Sequence, residues 1–202
     1  MVQNKKKQLA LVIWIVIILF VGFFAVYFYL NSLKNFSYAG VDWKVIDGPA
    51  PYYTNFHVFY NADAYYNLWL ENNPKKNNIK VNASFKILPS VILSMDNESV
   101  NCSYMNLALA KMTSFLINAG NVEVTSAVAD KELAKQYNVS FANCYSANGR
   151  TVFLFEKSDT PEIVQDKYVP GCYRVRVGNC ENIETTERLI VAIIAQRNKV
   201  AL

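Results

Sequence analysis

Cys102, Cys144, Cys172 and Cys180 are the residues whose type carries the most chemistry here, since four thiols can close two disulfides or hold one metal ion. Four-thiolate sites draw on close pairs separated by about two to four residues. These cysteines stand 42, 28 and 8 positions apart, which points to disulfides. No C-x-x-C occurs, so the thiol oxidoreductase signature is missing too. Cys172 with Cys180 is the naive pairing. If CYRVRV (172–177) is a strand at about 3.3 Å per residue, however, the intervening steps carry Cys180 beyond the roughly 7 Å reach between Cα atoms. In the hairpin order predicted below, Cys144 ends one strand and Cys172 begins another on the same sheet edge, while Cys102 and Cys180 each stand before a helix on the opposite edge, so the preferred arrangement is Cys144 with Cys172 and Cys102 with Cys180. The rival is Cys102 with Cys144 and Cys172 with Cys180.

His57 is the only histidine. It lies in an aromatic run and reads as a half-buried strand residue, and no second imidazole exists for a His-based metal centre. Asp96 with Glu98, or Asp159 with Glu162, could serve as an acid–base pair if a pocket raised the pKa of one member. The run Asp96-Asn97-Glu98-Ser99 offers oxygen ligands but lacks the spacing of a calcium loop. No Gly-rich phosphate loop is present. These residues assign no catalytic group, no metal and no cofactor. Five sequons, at Asn35, Asn82, Asn97, Asn101 and Asn138, mark possible glycan attachment in an exported domain.

The positioning elements begin with an unbroken apolar run, Leu9 to Leu30. As a helix it extends about 33 Å, enough to cross a hydrocarbon core of about 30 Å. Residues 1–8 then form a cytoplasmic tail, 9–30 a transmembrane signal-anchor, 31–53 a stalk with a first short extended piece at Asp42–Ile46, and 54–202 an extracytoplasmic domain. Lys5, Lys6 and Lys7 precede the run and only Lys34 closely follows it, so the positive-inside bias keeps the N-terminus in the cytoplasm of the cell membrane. The run is too long for a cleaved signal, although Ser37-Tyr38-Ala39 satisfies small-x-small. Lys6-Lys7-Gln8 resembles the short basic leader of archaeal type IV pilins, which makes a filament subunit an alternative. Removing the three tail lysines leaves 17 basic against 16 acidic side chains, so the domain has no electrostatic footprint for nucleic acid.

Within the domain, period-two runs predict strands at Phe56–Tyr60 and Tyr65–Leu70, forming a hairpin about Asn61-Ala62-Asp63-Ala64. Further strands are predicted at Ile79–Ile87, Val91–Met95, Val122–Val128 and Val139–Asn143. Asn148-Gly149 predicts a turn into Thr151–Phe155 as the second arm of a hairpin, and Glu162–Asp166 with Cys172–Val177 predicts another. Met105, Ala108, Leu109, Met112, Phe115 and Leu116 make one helical stripe, capped by Asn101 or Ser103 and stopped by Gly120. Short helix 130–137 and closing helix 182–197, with Ile183, Ile190, Ile193 and Ile194 buried, complete the elements. The expected fold is α+β, a mixed and largely antiparallel sheet with two main helices behind one N-terminal transmembrane helix.

Gly171-Cys172-Tyr173-Arg174-Val175-Arg176-Val177-Gly178-Asn179-Cys180-Glu181, followed by Glu187-Arg188, together with Leu68-Trp69-Leu70-Glu71-Asn72-Asn73-Pro74, resembles a pattern in uncharacterised archaeal single-pass membrane proteins. The resemblance implies an archaeal cell surface and paired cysteines, and carries no activity. With 13 tyrosines, a surface suited to partner contact is expected. The chain therefore reads as a membrane-anchored binding or structural protein of the envelope, part of a surface assembly, with lipid and other envelope proteins as partners. A carboxylate-dependent surface enzyme is the alternative from a different class.

Overall fold

The computed structural model describes residues 2–146 and 148–202, with side chains from Ile13 onward. The tail lysines Lys5 to Lys7 thus lie outside the described side chains. Helix α1, Val2–Ser32, contains the stretch Ile13–Ser32, which is long and apolar enough to cross a membrane by length and composition. The chain divides into two compact units, one ending at Phe36 and one running from Ser37 to Leu202.

Residues 37–53, expected as a stalk, instead belong to the second unit, and the extended piece expected at Asp42–Ile46 is a strand there. They supply β2 and part of β1 and β3 in a four-stranded sheet of order β1 (Asn35–Tyr38), β2 (Val41–Val45), β3 (Tyr52–Val58) and β4 (Asn61–Leu70). Ala39 and Gly40, both at positive φ, turn β1 into β2 as a type I′ pair does. Trp43 is fully buried and its indole N–H donates to the Tyr38 carbonyl, which draws this segment into the core. The β3–β4 hairpin forms as expected, but its turn is Phe59-Tyr60, and Asn61 to Ala64 already belong to β4.

Seven further strands make a second sheet: β5 (Lys80–Asn82), β6 (Ser90–Met95), β7 (Glu123–Val128), β8 (Ser140–Phe141), β9 (Thr151–Ser158), β10 (Glu162–Gln165) and β11 (Cys172–Gly178). Their order is β5-β10-β11-β9-β6-β7-β8. The α+β class stands and the first sheet is antiparallel, yet in this second sheet only β10–β11 is antiparallel. The expectation of one largely antiparallel sheet is corrected here. Helices α2 (Met105–Gly120) and α3 (Lys131–Tyr137) carry the chain back between β6, β7 and β8, and such crossovers make neighbours parallel. Unbroken buried runs, Val91 to Ser94 and Thr151 to Phe155, suit strands covered on both faces. Accordingly Asn148-Gly149 closes no hairpin: β9 leaves β8 and inserts between β11 and β6.

Helices α2 and α4 (Asn182–Arg197) pack on each other, α2 touching β3, β4 and β7 while α4 touches β10 and β11. Coverage from both layers buries α4 from Thr185 to Ala195, so the expected single face of isoleucines widens to the whole circumference. Ile183, at its start, is only half-buried. The α2 stripe is buried as its period required. Its caps differ, because Tyr104 occupies the N-cap without a side-chain bond and Asn121, not Gly120, takes the left-handed conformation. The Cys102–Cys180 disulfide and an Asn182 amide donating to the Ser103 carbonyl hold that end instead.

The strand expected over Ile79–Ile87 pairs only at Lys80–Asn82. Beyond it, side chains replace the ladder. Gln196 receives the Phe85 N–H and donates back to the Phe85 carbonyl, at 2.7 and 2.6 Å. The Tyr173 hydroxyl accepts from Lys86 N–H and donates to the Ser84 carbonyl, and Thr151 does the same for Leu88 and Lys86. Extended backbone is thereby satisfied without a neighbouring strand.

Candidate functional site

Strand alternation sorts β3 and β4 into two faces. Thr54, Phe56, Val58, Leu68 and Leu70 are buried. The opposite face carries Tyr53, Asn55 and His57 on β3, in register with Trp69, Asn67 and Tyr65 on β4. Cross-strand neighbours at this distance interact directly. Tyr53 and Trp69 have ring centroids 4.4 Å apart, and His57 and Tyr65 4.2 Å apart. Between them Asn67 Oδ1 accepts from the Tyr53 hydroxyl at 2.9 Å and from Asn55 Nδ2 at 2.6 Å. With its oxygen doubly occupied, the Asn67 amide directs its NH2 away from both partners.

Tyr65 is 59% and Trp69 46% exposed, and unlike the other exposed tyrosines they lie in register on one strand face with stacked partners. His57, expected half-buried, is exposed, because the chain places Phe56 and Val58 rather than His57 toward the core. The β2–β3 ladder stops at Trp43 and Thr54, where the Thr54 hydroxyl takes the Asp42 carbonyl. Past that point a groove of about 920 Å³ opens beside Asn55 and His57, walled by Gly40 to Asp42 and by Arg197 and Asn198. Aromatic richness of the two runs was visible in sequence. Which alternate residues face outward was not.

The four cysteines form Cys102–Cys180 and Cys144–Cys172, the preferred arrangement, although the hairpin of β8 with β9 on which that preference partly rested does not form. Cys144–Cys172 sits in an apolar cluster with Ile92, Ala142, Val152 and Leu154. Asn35, Asn82, Asn97, Asn101 and Asn138 are all exposed.

The candidate carboxylates have structural partners. Asp96 accepts from Ser99 N–H at 2.6 Å and from Lys157 N–H at 3.2 Å, fastening the β6 end to β9. Glu98 reaches Lys157 Nζ at 3.5 Å, and Glu162 pairs with Arg176. Asp159 is exposed. Among the described residues no group of three or more His, Cys, Asp or Glu could hold a metal ion.

Sequence reasoning missed an ionic lattice on the second sheet, where Arg174 pairs with Glu156 and Asp166, and Arg176 with Glu156 and Glu162. Burial pushes the Glu156 carboxyl up, against the pull of Arg174 and Arg176. Burial acts on Asp166 in the same sense, but the N–H groups of Tyr168 and Val169 and the Arg174 guanidinium outweigh it and hold that carboxyl low. These groups satisfy each other, which suits a structural lattice. Its only signal in sequence was the i, i+2 spacing of the two arginines.

Also missed was Glu187, buried in α4. Its Oε1 accepts from Glu71 N–H at 2.8 Å and Lys111 Nζ at 2.5 Å, and its Oε2 from the Asn72 backbone and side-chain amides at 2.9 and 3.0 Å. The two motifs quoted for the archaeal resemblance therefore meet at this carboxylate. No family model, no curated protein and no solved structure matches the chain.

Proposed function

We propose that this protein is a membrane-anchored, extracytoplasmic binding protein of the cell envelope, acting within a surface assembly through the exposed ring–amide face of β3 and β4. The observation that carries this reading is that face: six polar or aromatic side chains in register, interlocked by stacking and hydrogen bonds, five of them exposed and Tyr53 half-buried. Rigid aromatic groups bury area on binding at little entropic cost, which is why interfaces favour them. The apolar Ile13–Ser32 stretch supports anchoring, the two disulfides support an oxidising exterior, and the motif resemblance supports an archaeal surface.

A photoreactive phenylalanine analogue at Tyr65 of the full chain, irradiated in native membranes, is expected to capture an envelope component. The same probe at Tyr168, which is 75% exposed on a loop, is expected to capture none of it. Identical adducts at both positions, or none at Tyr65, count against this face as the binding surface.

The proposed orientation rests on the three tail lysines. In intact cells an impermeant thiol reagent should label Lys34→Cys, and should label Gln3→Cys only after permeabilisation. The reverse pattern inverts the topology.

A further inference from the structure

We infer that the β4 edge of this face binds a neutral carbohydrate chain, an inference that rests on the binding role proposed above. The strand order ends at β4, so Trp69 and Tyr65 have partners on one side only, Tyr53 and His57, and lie half exposed along an open edge. Between them on the same strand face stands Asn67, whose oxygen is already taken by Tyr53 and Asn55. The edge therefore presents ring, amide donor, ring at steps of about 6.6 Å, with the two rings about 13 Å apart.

A pyranose ring matches this sequence of groups. Its C–H face packs on an aromatic ring, and its hydroxyls accept from a fixed amide N–H. The distance from Trp69 to Tyr65 accommodates a short oligosaccharide lying along the strand. Charge selects the neutral class. Lys44, in register beside Tyr53, and Arg197 across the groove are offset by Asp42 on the Lys44 face of β2 and by Asp63, two residues before Tyr65, so the charges of the two signs balance. A sulfated or uronic chain calls for a cluster of Lys and Arg, which this face lacks among the described residues. Because the amide is already held by two hydrogen bonds, little side-chain freedom is lost on binding.

The test uses the full chain in lipid nanodiscs, titrated with short neutral oligosaccharides and, in parallel, with sulfated and uronic oligosaccharides of equal length. Binding is read for every variant by retention on an array and, where Trp69 is kept, by the change in tryptophan fluorescence, since Trp69 lies in the site while Trp43 is buried and Trp14 lies in the apolar helix. At least one neutral oligosaccharide is expected to bind saturably. Trp69→Ala and Tyr65→Ala should each weaken it on the order of tenfold, the loss typical of a central aromatic contact. Asn67→Ala should weaken it less and Trp69→Phe least, with near-ultraviolet circular dichroism reporting that each variant is folded. Should Trp69→Ala fail to fold, Tyr65→Ala and Asn67→Ala decide the question. No neutral binding, binding indifferent to these variants, or a preference for acidic chains overturns the inference. If that happens while the Tyr65 crosslinker still captures a polypeptide, the carbohydrate assignment falls and the binding role stands. If the crosslinker captures nothing either, both fall.

Discussion

Replacing Cys102 and Cys180 together by alanine should lower the unfolding free energy by about 4 to 5 kcal/mol, against about 3 to 4 for Cys144 with Cys172. The difference follows from loop length. The first bridge spans 78 residues and the second 28, and chain entropy released in the unfolded state grows with the logarithm of that span. Removing Cys102–Cys180 also frees the start of α2, whose N-cap Tyr104 makes no side-chain bond and leans on that bridge. Urea midpoints from near-ultraviolet circular dichroism of the full chain in detergent measure both. Equal losses, or a larger loss for Cys144–Cys172, would show that the loop-entropy account does not govern this fold. Mapping of non-reduced peptides is expected to recover the same two pairs.

Glu187→Ala is expected to cost about 3 to 5 kcal/mol, the range for breaking a buried ion pair from one side. The Glu187 side chain is 1% exposed and Lys111 16%, so the ammonium left behind is poorly hydrated and retains only Glu71 Oε1 at 3.4 Å. The N–H groups of Glu71 and Asn72 lose their acceptor as well, and as part-buried donors they recover only some of it from water. Glu187→Gln should fall in between, since its amide oxygen can replace one acceptor while its NH2 faces another donor. Lys111→Met combined with Glu187→Ala should be less damaging than the sum of the single changes, because it removes the stranded charge. The same unfolding measurement decides this. A loss from Glu187→Ala within about 0.5 kcal/mol of zero, the range of an ordinary surface change, would mean the carboxylate does not organise the junction of α4, α2 and the 71–72 turn.

Much of this architecture was legible because it rests on interactions between near neighbours. The apolar run of α1 follows from composition alone. The stripe of α2 and the bounds of α4 follow from helical periodicity, since residues three and four apart share a face. The exclusion of Cys172 with Cys180 required only the rise of a strand. Asp130, whose carboxylate accepts from Glu132 and Leu133 N–H, starts α3 as an N-cap within a few residues of itself.

What the tertiary structure alone decided concerns partners distant in the chain. Period two shows that Tyr53, Asn55 and His57 share a face and that Thr54, Phe56 and Val58 share the other, but not which face meets α2. That choice depends on the total apolar area each face can bury against the helices, with Phe56 and Val58 outweighing Tyr53 and His57. Strand order in the second sheet likewise escaped local reading, because a short apolar run such as Val91 to Leu93 pairs equally well with a hairpin partner or a crossover neighbour until both faces are covered. Glu187 entered the sequence reading only as part of a motif, with no partner assigned to it. Only the approach of residues 71 and 72, 115 or more positions away, gives that carboxylate the amide donors that make its burial tolerable.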